Sequence, residues 1–467
     1  MTRARAARVT VAGELRDLVT LALPLCVGHL GHQFMAIVDT ALLGRYGGAS
    51  LAGAGLAGNL LFAVTVLGIG TIMGMDTLVP QSLGAGDSGR AREIFRSGIR
   101  LALIVSLPIS AGVAAIALLL PHSGVEPGVA AEGAAFLFGR LPGIMPILLF
   151  ATMRSYLQAH HVTRPMVIAV VIANVVNFVV DWILIFGDGG LEQLGLPGVG
   201  LPALGALGAG ISTSAASLGS LAICAAAVRS LHRSQDAELA PARPAASTTG
   251  HARAIVRLGG PVGLQLVAEV GIFALTGYLA GTLGRMPAAG HQIALVLASF
   301  SFSTAIGIGA ATSVQVGRAI GAGDTRAARR AGALGMVTGA GVMGACALCF
   351  LLFPRQLAAL FTGDRALQDA AIPLLRIAAV FQLSDAVQAV SAGALRGVGA
   401  TRFSFVANVI GHYAVGFPVA VLLGFALDMG AAGLWWGLSI GLTGVAVAQS
   451  IRFGVLTARP VERAAAS

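Results

Sequence analysis

Twelve stretches of this chain are apolar for long enough to cross a bilayer, and that repetition limits its fold more than anything else in it. They run approximately over 18–43, 51–80, 97–120, 133–157, 166–187, 199–228, 255–283, 288–316, 332–353, 370–395, 403–425 and 431–455. A helix of about 20 apolar residues spans the hydrocarbon core. Inside it, only helices or closed barrels satisfy every backbone polar group. Composition excludes a soluble alternative. Charged residues are 11% of the chain, against about 25% in soluble domains, too few to cover a globule of this size. The 64 glycines are scattered through the apolar stretches, where small residues let membrane helices pack closely. The expectation is an all-α integral membrane protein with twelve transmembrane helices.

The net charge of +10 does not point to nucleic acid. All the basic residues are arginine, and they punctuate the apolar stretches instead of clustering with aromatics on one domain. With a cytoplasmic N-terminus, all but six arginines (Arg45, Arg140, Arg285, Arg355, Arg365 and Arg376) fall on the cytoplasmic side. That bias satisfies the positive-inside rule and places both termini inside. Arg3, Arg5 and Arg8 resemble the start of a signal peptide, but the apolar run that follows is too long and contains Asp39, so it reads as an uncleaved first span. Cys26 and Cys224 sit alone in apolar segments, and Cys346 and Cys349 lie in another with no second ligand pair. All four read as packing residues.

The only long polar stretch, 229–254, divides the chain into six spans and six, giving an N-terminal lobe 1–228, a cytoplasmic linker 229–254 and a C-terminal lobe 255–467. The halves repeat. Gly84-Ala85-Gly86-Asp87 answers Gly321-Ala322-Gly323-Asp324 at an offset of 237, Pro24 answers Pro261 at the same offset, and Thr163-Arg164 answers Thr401-Arg402 at 238. An even number of spans per repeat gives two lobes related by a pseudo-two-fold axis along the membrane normal, an arrangement suited to alternating access.

Four acids lie deep in spans: Asp39, Asp181, Glu269 and Asp385. Each costs about 2.5–3.5 kcal/mol at a helix centre, or on the order of 10 kcal/mol for the set, so a structural accident is a poor explanation. Asn174, Asn177 and Asp181 share one helical face, as do Gln382, Asp385 and Gln388, and Gln265 lies one turn before Glu269. Amide oxygens beside a carboxylate suit a proton network or a small cation. His32, two turns before Asp39, is equally explained by packing, and Thr213 and Ser214 read as helix-packing residues. The repeat does not carry the acids: the position 237 after Asp39 is Thr276. The expectation is therefore two distinct sites, Asp39, Asn177 and Asp181 in one lobe, Glu269 and Asp385 in the other.

No GxxxxGK[ST] or HExxH motif occurs, so an ATP-driven pump and a zinc hydrolase have no support, and no Ser/His/Asp constellation suggests a serine hydrolase. Leu23-Pro24 with Val38-Asp39-Thr40, the Gly-Ala-Gly-Asp loops, Gly290-His291-Gln292, and Asp385-Ala386-Val387-Gln388 with Leu395-Arg396-Gly397 resemble the multidrug and toxic compound extrusion (MATE) family from about residue 15 to 455. The resemblance implies a secondary antiporter, not an enzyme, that exports small organic cations in exchange for H⁺ or Na⁺ and needs no cofactor. It also implies a monomer in the bacterial inner membrane. Asp39, Asn177 and Asp181 match an N-lobe ion site. Glu269 and Asp385 match acids of the NorM-like branch tied to cation binding, a possible Na⁺ position, with Gln265, Gln382, Gln388 and Asn174 in support. Asp181 is more typical of the DinF-like branch, so the mixture leaves the ion open, with H⁺ favoured because facing carboxyls can share a proton. A lipid-linked oligosaccharide flippase of the same superfamily is the alternative. It would want an arginine-lined cavity, for which Arg140 and Arg376 are the candidates. A membrane transferase would need acids or histidines converging at an interface, whereas these acids lie deep in spans.

Overall fold

The computed structural model describes residues 11–193, 195–238 and 248–464. Arg3, Arg5 and Arg8, and the middle of the expected linker, lie outside the described residues. Among the described residues, twelve helices are long and apolar enough to cross a membrane. In chain order they are α1 Val11–Tyr46, α2 Gly48–Gly84, α3 Ser88–His122, α4 Pro127–Ala159, α5 Arg164–Phe186 and α6 Gly205–Asp236. There follow α7 Gly250–Thr282, α8 Arg285–Gly321, α9 Thr325–Leu352, α10 Arg365–Val398, α11 Thr401–Ala426 and α12 Gly430–Leu456. Each overlaps one of the twelve expected stretches.

Two departures from regular helix were invisible to hydropathy. The α-helical part of α2 stops at Ile72 and restarts at Met75. In α11 the backbone widens into π-helical turns over Ile410–Gly416 and Leu422–Ala426. Large apolar side chains such as Ile104, Leu107, Val337 and Leu348 are exposed along α3 and α9, as a helix surrounded by lipid tails requires.

The described residues pack as two compact units, one within 1–27, 80–86 and 272–464, the other within 28–79 and 87–271. The divisions at 27/28, 79/80 and 271/272 fall inside α1, α2 and α7, and the one at 86/87 falls just before α3. The repeat seen in the sequence returns in the packing. Asp87 caps α3 by accepting from the Arg90 amide at 2.8 Å, and Asp324 caps α9 by accepting from the Ala327 amide at 2.8 Å. Gly86 and Gly323 just before them have φ of +76° and +79°, a conformation a side chain resists. In the first unit, a Cβ on Gly84 would strike the Arg318 carbonyl and one on Gly321 would strike the Gln81 carbonyl. Both pairs of positions are related by the same offset of 237.

Candidate functional site

The second unit gathers the N-terminal candidates. Asp181 and Asn177 on α5 are fully buried, and Asp39 on α1 is half-buried beside them. Helix α5 is brought up to α1 two turns away. Asn174 Nδ2 donates to the Gly31 carbonyl at 3.0 Å and to the Val170 carbonyl at 2.9 Å. Gly31 permits that approach, because a Cβ there would run into the Val170 side chain. Asn174 thus fastens the helix pair whose next polar level holds Asp39 and Asp181.

The third wall is α6, through the run Ser212-Thr213-Ser214. Successive helical residues point about 100° apart, so three consecutive hydroxyls meet three different helices. Ser212 Oγ donates to the Asn177 carbonyl at 2.8 Å and accepts from Asn177 Nδ2 at 3.0 Å. Ser214 Oγ donates to the Gly139 carbonyl of α4 at 2.8 Å. Thr213 Oγ1 lies 3.1 Å from Asp39 Oδ2 and 3.0 Å from the Ala209 carbonyl. The hydroxyl has one hydrogen for two acceptors. When it donates to Ala209, its contact with Asp39 requires a proton on the carboxyl. The reading of Thr213 as a packing residue is therefore corrected, while Ser214 packs as expected.

What remains at this level is a surplus of acceptors. Asp39 Oδ1, Asn177 Oδ1 and both oxygens of Asp181 are buried and receive no hydrogen bond. Orphaned buried acceptors are costly, and here a group that brings positive charge satisfies several at once. His32 takes no part: its Nδ1 pairs with the Gly28 carbonyl at 2.8 Å and its ring faces Phe150 at 6.0 Å. Sequence reasoning missed Ser212 entirely. It also placed Arg140 near a span entrance, whereas Arg140 lies thirteen residues into α4 with Nη1 buried.

Glu269 belongs to the same unit, with Gln265 Nε2 donating to its Oε1 at 3.0 Å. Asp385 belongs to the other unit, buried on α10 between Gln382 and Gln388, which are buried as well. Neither side-chain atom of Gln382 has a partner. Within that unit Trp435 Nε1 donates to His291 Nδ1 at 3.2 Å, leaving His291 Nε2 buried without a partner. Among the described residues no group of three or more His, Cys, Asp or Glu side chains is arranged to hold a metal ion.

One charged group outside the spans is held firmly. Asp188 accepts from the amides of Leu201 at 2.9 Å, Val199 at 3.0 Å and Gly200 at 2.9 Å. These donors hold its carboxyl below the ordinary aspartate range.

Comparison with known proteins gives a consistent result. The MatE family profile matches residues 24–183 and 261–422. The probable multidrug resistance protein NorM of Bradyrhizobium diazoefficiens is 34% identical over 457 residues, 97% of this chain and 95% of that protein. The multidrug resistance protein PmpM of Pseudomonas aeruginosa is 32% identical over 449 residues, 95% of this chain and 91% of that protein. Among solved structures, the eukaryotic MATE transporter AtDTX14 superposes with a TM-score of 0.83 at 21% identity, covering 95% of this chain and 96% of that one. An outward-facing multidrug resistance MATE transporter gives 0.83 at 19% identity, covering 95% and 96%.

Proposed function

Because the chain belongs to the MatE family of multidrug transporters, which need no cofactor and are not enzymes, we propose that it is a secondary antiporter exporting small organic cations in exchange for H⁺ or Na⁺. Multidrug efflux is the family's work, and the twelve apolar helices fit a lipid bilayer. The coupling ion and the charge of the substrate are our reading, as are a bacterial inner-membrane location with both termini cytoplasmic and action as a monomer.

The observation that carries the reading is the surplus of buried acceptor oxygens around Asp39, Asn177 and Asp181. A proton shared between the two carboxyls, or a cation resting against them, supplies the missing donors, and the same oxygens cannot serve both fully. Entry of the ion from outside weakens the hold on the organic cation and releases it, while its departure to the inside restores negative charge for the next substrate. Competition for limited negative charge is thus the coupling. H⁺ is favoured over Na⁺ at this level because two adjacent buried carboxylates resist being charged together. We assign Glu269 with Gln265, and Asp385 with Gln382 and Gln388, to further cation binding.

Ethidium export from proteoliposomes under separately imposed pH and sodium gradients tests this. Asp39→Asn and Asp181→Asn are expected to slow export at least tenfold, and Glu269→Gln and Asp385→Asn to slow it measurably. Wild-type rates in all four variants would sink the assignment, and a response to the sodium gradient alone would overturn the preference for H⁺.

A further inference from the structure

Half-buried Arg140 stands apart from the buried polar groups because it brings positive charge into a unit read as a cation site. Its neighbours fix its depth. Gly139 packs so tightly on α6 that a Cβ there would lie 2.6 Å from the Leu207 carbonyl and 2.9 Å from the Ile211 amide. Gly143, one turn on, packs on Ser214. The stretch of α4 carrying Arg140 is therefore level with Ile211–Ser214 of α6, from which Thr213 reaches Asp39. Arg140 Nη1 is buried with no hydrogen-bond partner, as is Asp39 Oδ1, and the guanidinium charge acts on Asp39 through space.

A second half-buried arginine on α4, with its Nε buried, shows how the charges divide. Arg154 lies four turns further along and acts on Asp76, whose Oδ1 accepts from Gln158 Nε2 at 3.0 Å. The charge of Arg154 thus falls on Asp76 and that of Arg140 on Asp39, in each case through space. The groups facing this level are Asp39 from α1, Arg140 from α4, Asp181 and Asn177 from α5, and the uncharged Ser212 and Thr213 from α6, with His32 two turns away on α1. His32 is occupied by Gly28. Asp181 is left as the single acid without a matching cation.

We propose that Arg140 is a specificity-determining residue, a tethered cation that leaves the Asp39–Asp181 pair one negative charge to offer and so restricts the site to singly charged cations. The inference rests on the reading of this pair as the place of exchange. A proton or a monocation neutralises the level, whereas a dication leaves one positive charge unbalanced where water cannot screen it. Without Arg140, a dication that displaces the shared proton would meet two carboxylates and be balanced by them.

Ethidium and propidium share a phenanthridinium ring and carry one and two positive charges. Wild-type protein in proteoliposomes is expected to export propidium at least tenfold more slowly than ethidium. Arg140→Gln is expected to raise the propidium-to-ethidium ratio about tenfold, while Arg140→Lys keeps the wild-type ratio. A charge-restoring pair separates this from a packing role: Asp181→Asn alone loses ethidium export, and adding Arg140→Gln recovers part of it by returning the level to a single negative charge. Equal export of the two dyes by wild type overturns the proposal while leaving cation export intact. So does a double variant no better than Asp181→Asn. The wild-type comparison holds even where a substitution prevents folding. Export of neither dye under any gradient overturns the efflux reading and this inference with it.

Discussion

The hydroxyl of Thr213 is the smallest group beside the Asp39–Asp181 pair whose loss should be felt. It sits between a carbonyl of its own helix and the Asp39 carboxyl, so removing it takes a polar partner from a group with one oxygen already unsatisfied. A hydrogen bond is worth a net of about 0.5–1.5 kcal/mol, which is roughly two- to tenfold in rate. Thr213→Val, which keeps the branched shape, is expected to slow ethidium export by that factor, and Thr213→Ser to stay within twofold of wild type at matched protein levels. The four acids were legible in the sequence because a charge inside an apolar span has no cheap explanation. Thr213 and Ser212 were not, since a hydroxyl in a membrane helix can always bond back to its own backbone, as Thr276 does to the Ile272 carbonyl at 2.8 Å. Which hydroxyl faces an acid depends on helix rotation. Arg140 was misplaced for a related reason: near the start of an apolar stretch, an arginine in a loop and one inside the helix look the same.

At the scale of the helix, the α1–α5 contact sets the site, and it turns on Gly31. Gly31→Ala would place a methyl group against Val170 and crowd Asn174. Overpacking of this kind costs about 1–3 kcal/mol. Expected outcomes are a fall of several degrees in the melting temperature of the purified protein and at least a tenfold loss of ethidium export, because Asp39 and Asp181 lie beyond the wedge. The segment after α5 makes a different prediction. Asp188, held below the ordinary aspartate range chiefly by the Leu201 amide and then by Val199, stabilises the 188–201 turn fully above its unfolded value of about 3.9. That contribution is lost as pH falls from there through the depressed folded value. Hydrogen exchange of the Val199–Leu201 amides, corrected for intrinsic rates, should therefore be protected at pH 6 and lose protection below about pH 4. Asp188→Asn should remove most of the protection at pH 6 and leave little further change below about pH 4. The number of spans was readable because apolar length alone reports it. The break after Ile72 and the π-turns of α11 were not, because side-chain hydropathy is blind to which carbonyl each amide finds.

For the molecule as a whole, the duplication divides what must be equal from what need not be. Gly84 and Gly321 lie at matching positions, and each lets its helix touch the other's backbone, Gly84 at the Arg318 carbonyl and Gly321 at the Gln81 carbonyl. A backbone cannot yield as the tip of a side chain can, so Gly84→Ala and Gly321→Ala are expected to lower the melting temperature by similar amounts, within a few degrees of each other. Asp39 and Thr276 also lie at matching positions, yet one faces a second acid and the other bonds to its own helix. Asp39→Asn should slow ethidium export at least tenfold with little change in melting temperature. Thr276→Val should leave export within twofold. The sequence already held this contrast, since the offset of 237 carries the glycines and capping aspartates but not the acids. The physical reason is that two helices meeting at matching positions of a repeat must present the same small surface to each other, whereas a buried charge answers only to its own neighbours. Measuring both quantities for all four variants separates scaffold from chemistry. Unequal melting shifts for the two glycines would mean that the repeat no longer shares the load, and equal export losses at Asp39 and Thr276 would mean that the lobes still share the chemistry.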